Sequence, residues 1–170
     1  MKLNQFYQAQ GLSGSSGSGP TRFINQNYFT VKPRDYDTGQ SASANRQMAA
    51  DIRSKGMPGD DAGHILGKII GGKMSQDNLF PQNMSVNRGQ YRVMENHVKN
   101  YLQANRDNPH ARVNVEVNLG YRDGSERPFA LGYQISFIEH GNRLANSSNL
   151  PRVPTNPYRV LMVNKNKTEK

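Results

Sequence analysis

The chain has 170 residues, no cysteine, and a net charge of +9 from 22 Lys and Arg against 13 Asp and Glu. The length suits one domain plus a tail, and the lack of cysteine excludes disulfides, thiolate catalysis and cysteine-based zinc sites. No apolar run approaches the roughly 20 residues of a membrane span, residues 1–10 lack an apolar signal core, and the dispersed basic charge fits a polyanion as well as a membrane surface or an acidic protein, although no amphipathic basic helix stands out.

Leu12 to Pro20 reads LSGSSGSGP, a Gly/Ser run that cannot bury surface. Residues 1–20 are therefore read as a flexible tail or linker, and residues 21–170 as the domain that carries the chemistry. Phe23 to Val31 is aromatic and β-branched and predicts a strand, ended by Pro33. Ser43 to Lys55 predicts a helix with Ser43 as N-cap and Gly56 as its stop, followed by a turn at Met57-Pro58-Gly59. Ala62 to Ile70 reads as a strand or hairpin, and Met74 to Val86 as irregular chain. Arg88 to Ala104 predicts a helix, because Tyr91, Met94, Val98 and Leu102 fall at helical spacing; Asn87 stands at its N-cap position. Val113 to Leu119 alternates apolar and polar residues, as a half-buried strand does. An Asp-Gly turn at residues 122–125, a return strand Phe129 to Ile138 and a last strand Tyr158 to Val163 complete the order. The fold class expected is α+β, built round an antiparallel sheet.

Two segments concentrate the chemistry: Asp60-Asp61-Ala62-Gly63-His64, and the stretch holding Asn78, Pro81, Gln82, Asn87, Gly89, Tyr91 and Glu95. Cutting a phosphodiester needs a base for the attacking water and a cation for the developing charge. His64 supplies a base near neutral pH. Asn87 offers a hard oxygen of the kind that suits Mg²⁺ or Mn²⁺, ions that keep several waters. Glu95 lies a little over two helical turns beyond Asn87, on the same general side, where a carboxylate can orient metal-bound water. Taken singly, each has a plain structural reading: a histidine after glycine packs in a turn, an asparagine before a helix caps it, and a glutamate on a helix is solvated. Their joint spacing favours the chemical reading.

With these residues in place the run resembles the DNA/RNA non-specific endonucleases of the ββα-metal (His-Me finger) class, in the branch associated with toxins. The resemblance covers about residues 60–102, with weaker similarity to about residue 138. It implies a ββα-metal nuclease core, with His64 as general base, Asn87 as the one direct protein ligand of a Mg²⁺ or Mn²⁺ ion, and Glu95 hydrogen-bonded to the waters of that ion. Asn78 and Gln82 would support the site. The implied reaction is in-line water attack on phosphorus, leaving 5′-phosphates on DNA or RNA products. One departure is Ala62, where the family carries Arg; Arg46, Arg53 and Arg88 are the candidates to supply that charge.

Gly67 to Lys73 matches the spacing of a phosphate loop up to its Lys, but Met74 follows where Ser or Thr is needed, and no helix is expected after it. The glycines are read as shaping a loop, with Lys68 and Lys73 touching nucleic-acid backbone. His97, His110 and His140 have no mutual metal spacing and are read as surface or structural residues. Two other readings stand beside the enzyme. One is a non-catalytic nucleic-acid-binding module that keeps the fold, sustained by Ala62. The other is the toxic domain of a larger secreted protein, which would add an immunity or inhibitor protein as partner.

Overall fold

The computed structural model describes residues 21–122, 124–139, 142–143 and 155–165. The tail 1–20, Asp123, His140, Pro151 and Pro154 lie outside the described residues. Alternation organises the main sheet. In β4 (Arg112–Arg122), Val113, Val115, Val117 and Leu119 are buried on one face, the period of two that the pleat imposes. β4 pairs antiparallel with β1 (Thr21–Val31) on one side and β5 (Ala130–Glu139) on the other. The far edge of β5 takes β6 (Asn142–Arg143) and β7 (Tyr158–Val163), again antiparallel. The turn between β4 and β5 closes with Ser125 N–H donating to Arg122 O, beside Gly124 at φ 77°, so the Asp-Gly signal marked a real turn.

One helix covers the apolar face. It runs as Met84–Val86, then a π-helical turn Asn87–Tyr91, then a regular α-helix Arg92–Ala104; we call the whole rod α2. Tyr91, Met94, Val98 and Leu102 are buried, as their spacing predicted, and meet Val115, Tyr133, Ile135 and Phe137 of the sheet in one core. Full burial of each such side chain contributes roughly 1.5–3 kcal/mol.

The helix begins earlier than the sequence suggested. Its N-cap is Asn83, whose side chain accepts from Ser85 N–H and Val86 N–H, and Asn87 already has helical dihedrals. Asn87 is thus not a cap. The π turn around Gly89 hides the continuity, because it breaks the 3.6-residue register that the pattern relies on.

The first helix is also shorter than expected. α1 spans Arg46–Ser54, and its cap is Asn45, which accepts from Met48 N–H; Ser43 lies in a separate 3₁₀ turn, Ala42–Ala44. Ala49 and Ile52 of α1 pack on Ala62 and Leu79 of a two-stranded sheet, β2 (Asp61–His64) with β3 (Leu79–Gln82). β3 replaces part of the irregular stretch read at 74–86. β2 ends at His64, so residues 65–70 form a loop and a 3₁₀ turn, Lys68–Ile70, rather than more strand. No phosphate loop forms, since that turn leads to another 3₁₀ turn, Gln76–Asn78, and not to a helix. β2, β3 and α2 together make the ββα unit, within the α+β class that the sequence indicated.

Candidate active site

β2 and α2 run beside each other, and three contacts set their register. Asn87 Nδ2 donates to Asp61 Oδ2 at 2.9 Å. One turn on, Tyr91 O–H donates to Ile65 O at 3.3 Å. One turn further, Glu95 lies against Gly67, where any side chain would collide with its carboxylate. A side chain at 67 would therefore displace the glutamate carboxylate from this position.

Asp61 fixes the rotamer of Asn87. Because the amide nitrogen faces the carboxylate, Oδ1 faces away, and it has no hydrogen-bond partner among the described residues. The guanidinium of Arg88 stands 3.6 Å from the other Asp61 oxygen. In the sequence, Asp61 is marked only by its place three residues before the histidine.

His64 closes β2, about 10 Å along the strand from Asp61. Its Nε2 sits 2.7 Å from Gln40 O. A carbonyl can only accept, so Nε2 carries the proton and Nδ1 keeps its lone pair. Burial holds the imidazole below its usual 6.5, partly offset by the Gln40 bond. The neutral ring is the form a base requires. Among the described residues no hydrogen bond joins His64 directly to Asn87; the strand and Asp61 link them. Burial also pushes the Glu95 carboxyl up to about 7, with Arg92 pulling the other way. Both groups are moved off their ordinary values by desolvation, and they stand on adjoining elements.

Asn78 holds the loop after β2, and Gln82 packs beside that strand in β3. Asn78 Oδ1 accepts from Leu66 N–H at 2.9 Å, and its Nδ2 donates to Leu66 O and Lys73 O at 3.0 and 2.8 Å, pinning the loop after His64. Gln82 is fully buried over Gly63, with neither end of its amide hydrogen-bonded. The cations divide into groups. Arg88 is at the site. Lys68 pairs with Asp37 at 3.1 Å, and Lys73 donates to Thr38 O at 3.5 Å, so both are engaged with the segment before α1. Arg46 and Arg53 are exposed on α1, with Arg53 lining a cavity of about 480 Å³ beside Met57 and Asp60, and neither bonds another candidate. His97 packs edge-on against Tyr158, with ring centroids 4.9 Å apart, and His110 is exposed.

A divalent ion fits this donor set. Asn87 Oδ1 is a hard oxygen without a partner among the described residues, Glu95 is a partly desolvated carboxyl two turns further along the same helix, and no thiolate competes. No group of three or more His, Asp or Glu side chains among the described residues could cage a metal. An ion held here would keep most of its water, as Mg²⁺ prefers.

Comparison with known proteins gives the same direction. The family description "DNA/RNA non-specific endonuclease" matches residues 30–136. The chain is 39% identical over 107 residues, 62% of its length, to "Probable deoxyribonuclease RhsA" of Dickeya dadantii (strain 3937), and that match covers 7% of the relative. It is 26% identical over 117 residues, 65% of its length, to "Type VII secretion system protein EssD" of Staphylococcus aureus (strain USA300), covering 18% of that protein. The matched region is thus a small part of these curated relatives. Among solved structures, an extracellular endonuclease aligns with a TM-score of 0.56 at 14% identity, covering 92% of this chain and 84% of that one. An extracellular nuclease aligns at 0.54 and 13%, covering 92% and 90%. At such identities the likeness is one of fold. No helix among the described residues is long and apolar enough to cross a membrane.

Proposed function

The chain belongs to the DNA/RNA non-specific endonuclease family, and from that premise we propose that it cuts phosphodiester bonds of DNA, RNA or both with a divalent cation, releasing 5′-phosphate ends. The observation that carries this reading is the pairing of a neutral imidazole, His64, with an outward amide oxygen on Asn87, on elements tied together through Asp61.

His64 acts as general base. Its Nδ1 takes the proton of a water attacking phosphorus in line, while Gln40 O holds Nε2–H and keeps the ring from turning. Asn87 Oδ1 is the direct protein ligand for Mg²⁺ or Mn²⁺, and Asp61 keeps that oxygen outward. The ion, when bound, supplies positive charge for the departing 3′-oxygen. Glu95 accepts hydrogen bonds from water at the site; its carboxyl, pushed up to about 7 by burial, would be drawn back toward the ionised form by a cation held at Asn87. Arg88 is the cation best placed for the charge that Ala62 lacks, since it already stands at Asp61. Asn78 and Gln82 support the site. Arg46, Arg53, Lys68 and Lys73 contribute to the general attraction of phosphates rather than to the reacting group. Residues 1–20 act as a tail and the rest as the nuclease domain. The small share of RhsA and EssD that is matched, and their printed names, support a role as the toxic domain of a secreted protein with an immunity partner.

Two expectations test the roles. With Asn87→Ala, both rate and apparent metal affinity fall, by at least the roughly 10–100-fold that losing an outer partner of a metal site costs; an unchanged metal titration removes Asn87 from the ligand role. In the pH profile of kcat/KM, the unprotonated imidazole is the active form, so activity rises with pH and levels off. Because burial lowers the His64 pKa, the midpoint lies below 6.5. A midpoint well above 7 rules out His64 as the base in this environment.

A further inference from the structure

At the end of α2 remote from Asn87, a cavity of about 310 Å³ opens between the end of β1 and the start of β4. Lys32, Arg34, Arg106 and Arg112 line it, and no carboxylate does. Arg34 and Arg106 are exposed. Arg112 spends one terminal nitrogen on the carbonyls of Pro109 and Ala111, at 2.8 and 2.7 Å. That fixes the guanidinium and leaves its other donors without a partner among the described residues. Among the described residues, the ion pair that one of these cations forms is Arg106 with Asp107 at 3.7 Å, between side chains 80% and 94% exposed, and it offers little competition.

The cavity is connected to the candidate site by charge. Arg92 and Lys99 are seven residues apart on α2, two turns, so they share one stripe. Glu95 stands between them, three residues from one and four from the other, and Arg92 is close enough to pull on its pKa. The cationic stripe therefore borders the side of the helix that carries Glu95, and Lys99 stands toward the C-terminal end of the helix, beyond which Arg106 follows. From Asn87 to Ala104 the helix covers roughly 25 Å, at about 1.5 Å per residue.

We propose that the cavity formed by Lys32, Arg34, Arg106 and Arg112 is a second anchoring site for the phosphodiester backbone of the substrate, beyond the C-terminal end of α2 and within roughly 20 Å of His64, since Arg34 is six residues from Gln40, whose carbonyl touches the imidazole. It rests on the nucleolytic reading above. At about 3.4 Å per base pair, a duplex that extends about six base pairs beyond the cut is long enough to engage it. The site makes long substrates bind better than short ones without reading sequence, because phosphates carry no base information.

The test uses the double variant Arg34→Gln/Arg106→Gln, whose exposed side chains leave the unfolding midpoint unchanged. Binding is read by fluorescence anisotropy in a His64→Ala background with EDTA, so that nothing is cut. The ligands are a duplex of about 24 base pairs and a hairpin with a stem of about six. For the long duplex, the variant is expected to bind about tenfold more weakly, with a log–log salt slope shallower by about 1.8, or about 0.9 for each lost contact. The hairpin is expected to bind parent and variant alike. Unchanged binding of the long duplex, or equal weakening of both ligands, overturns the anchoring site alone. A parent that binds neither ligand at low salt overturns the nucleolytic reading and this inference with it.

Discussion

Replacing His64 with Ala is expected to lower cleavage by about 10²–10⁴-fold, the usual worth of a positioned general base. Affinity for nucleic acid is expected to hold, because it comes from phosphate contacts made by cations elsewhere on the chain. Fold is expected to hold as well. The ring is half-buried at the end of β2, and its one hydrogen bond goes to a carbonyl that water can reach once the ring is gone. Rate and binding thus separate, and circular dichroism with anisotropy shows the separation. A variant that cuts within a few-fold of the parent would transfer the base role to another group; Glu95, with its pKa near 7, would be the first to examine.

The largest effect on stability is expected at Arg127. Its guanidinium donates to both oxygens of Asp60, at 2.6 and 2.9 Å, and to Asn164 O at 2.6 Å. The Asp60 side chain is completely buried and also accepts from Met57 N–H. Arg127→Ala leaves that carboxylate charged, buried and stripped of its strongest partner, a loss of about 3–5 kcal/mol. In a domain of this size that lowers the unfolding midpoint by roughly 6–20 °C. Arg127→Lys is expected to recover only part, since a single ammonium cannot match the two-pronged bond. Asp60 precedes the first residue of β2, so residual activity should fall along with stability. A midpoint unmoved in Arg127→Ala would show that the carboxylate finds solvent or another cation.

The sequence made some of this legible. The stripe Tyr91, Met94, Val98, Leu102 and the alternation from Val113 to Leu119 revealed α2 and β4, because both elements bury one face and repeat with their own period. The spacing from Asp61 through His64, Asn78 and Asn87 to Glu95 revealed the family. β3 was hidden. Four residues, one of them Pro81, carry no visible alternation, and all four are buried. The π turn at Asn87–Tyr91 disguised a helix residue as a cap. Gln40 was invisible for a different reason: its backbone carbonyl makes the contact, and any residue has one. The Asp60–Arg127 fork joins residues 67 apart, and the basic cavity gathers four cations from two distant segments. Neither leaves a local pattern to read.

The most direct measurement is cleavage of supercoiled plasmid by the wild-type chain, run in parallel with Mg²⁺, with Mn²⁺ and with EDTA. The account predicts nicking and then degradation with either free cation, and intact plasmid in EDTA. Wild-type protein that binds the plasmid but leaves it whole with every divalent cation would contradict it, and would make this chain a nucleic-acid-binding module that keeps the nuclease fold.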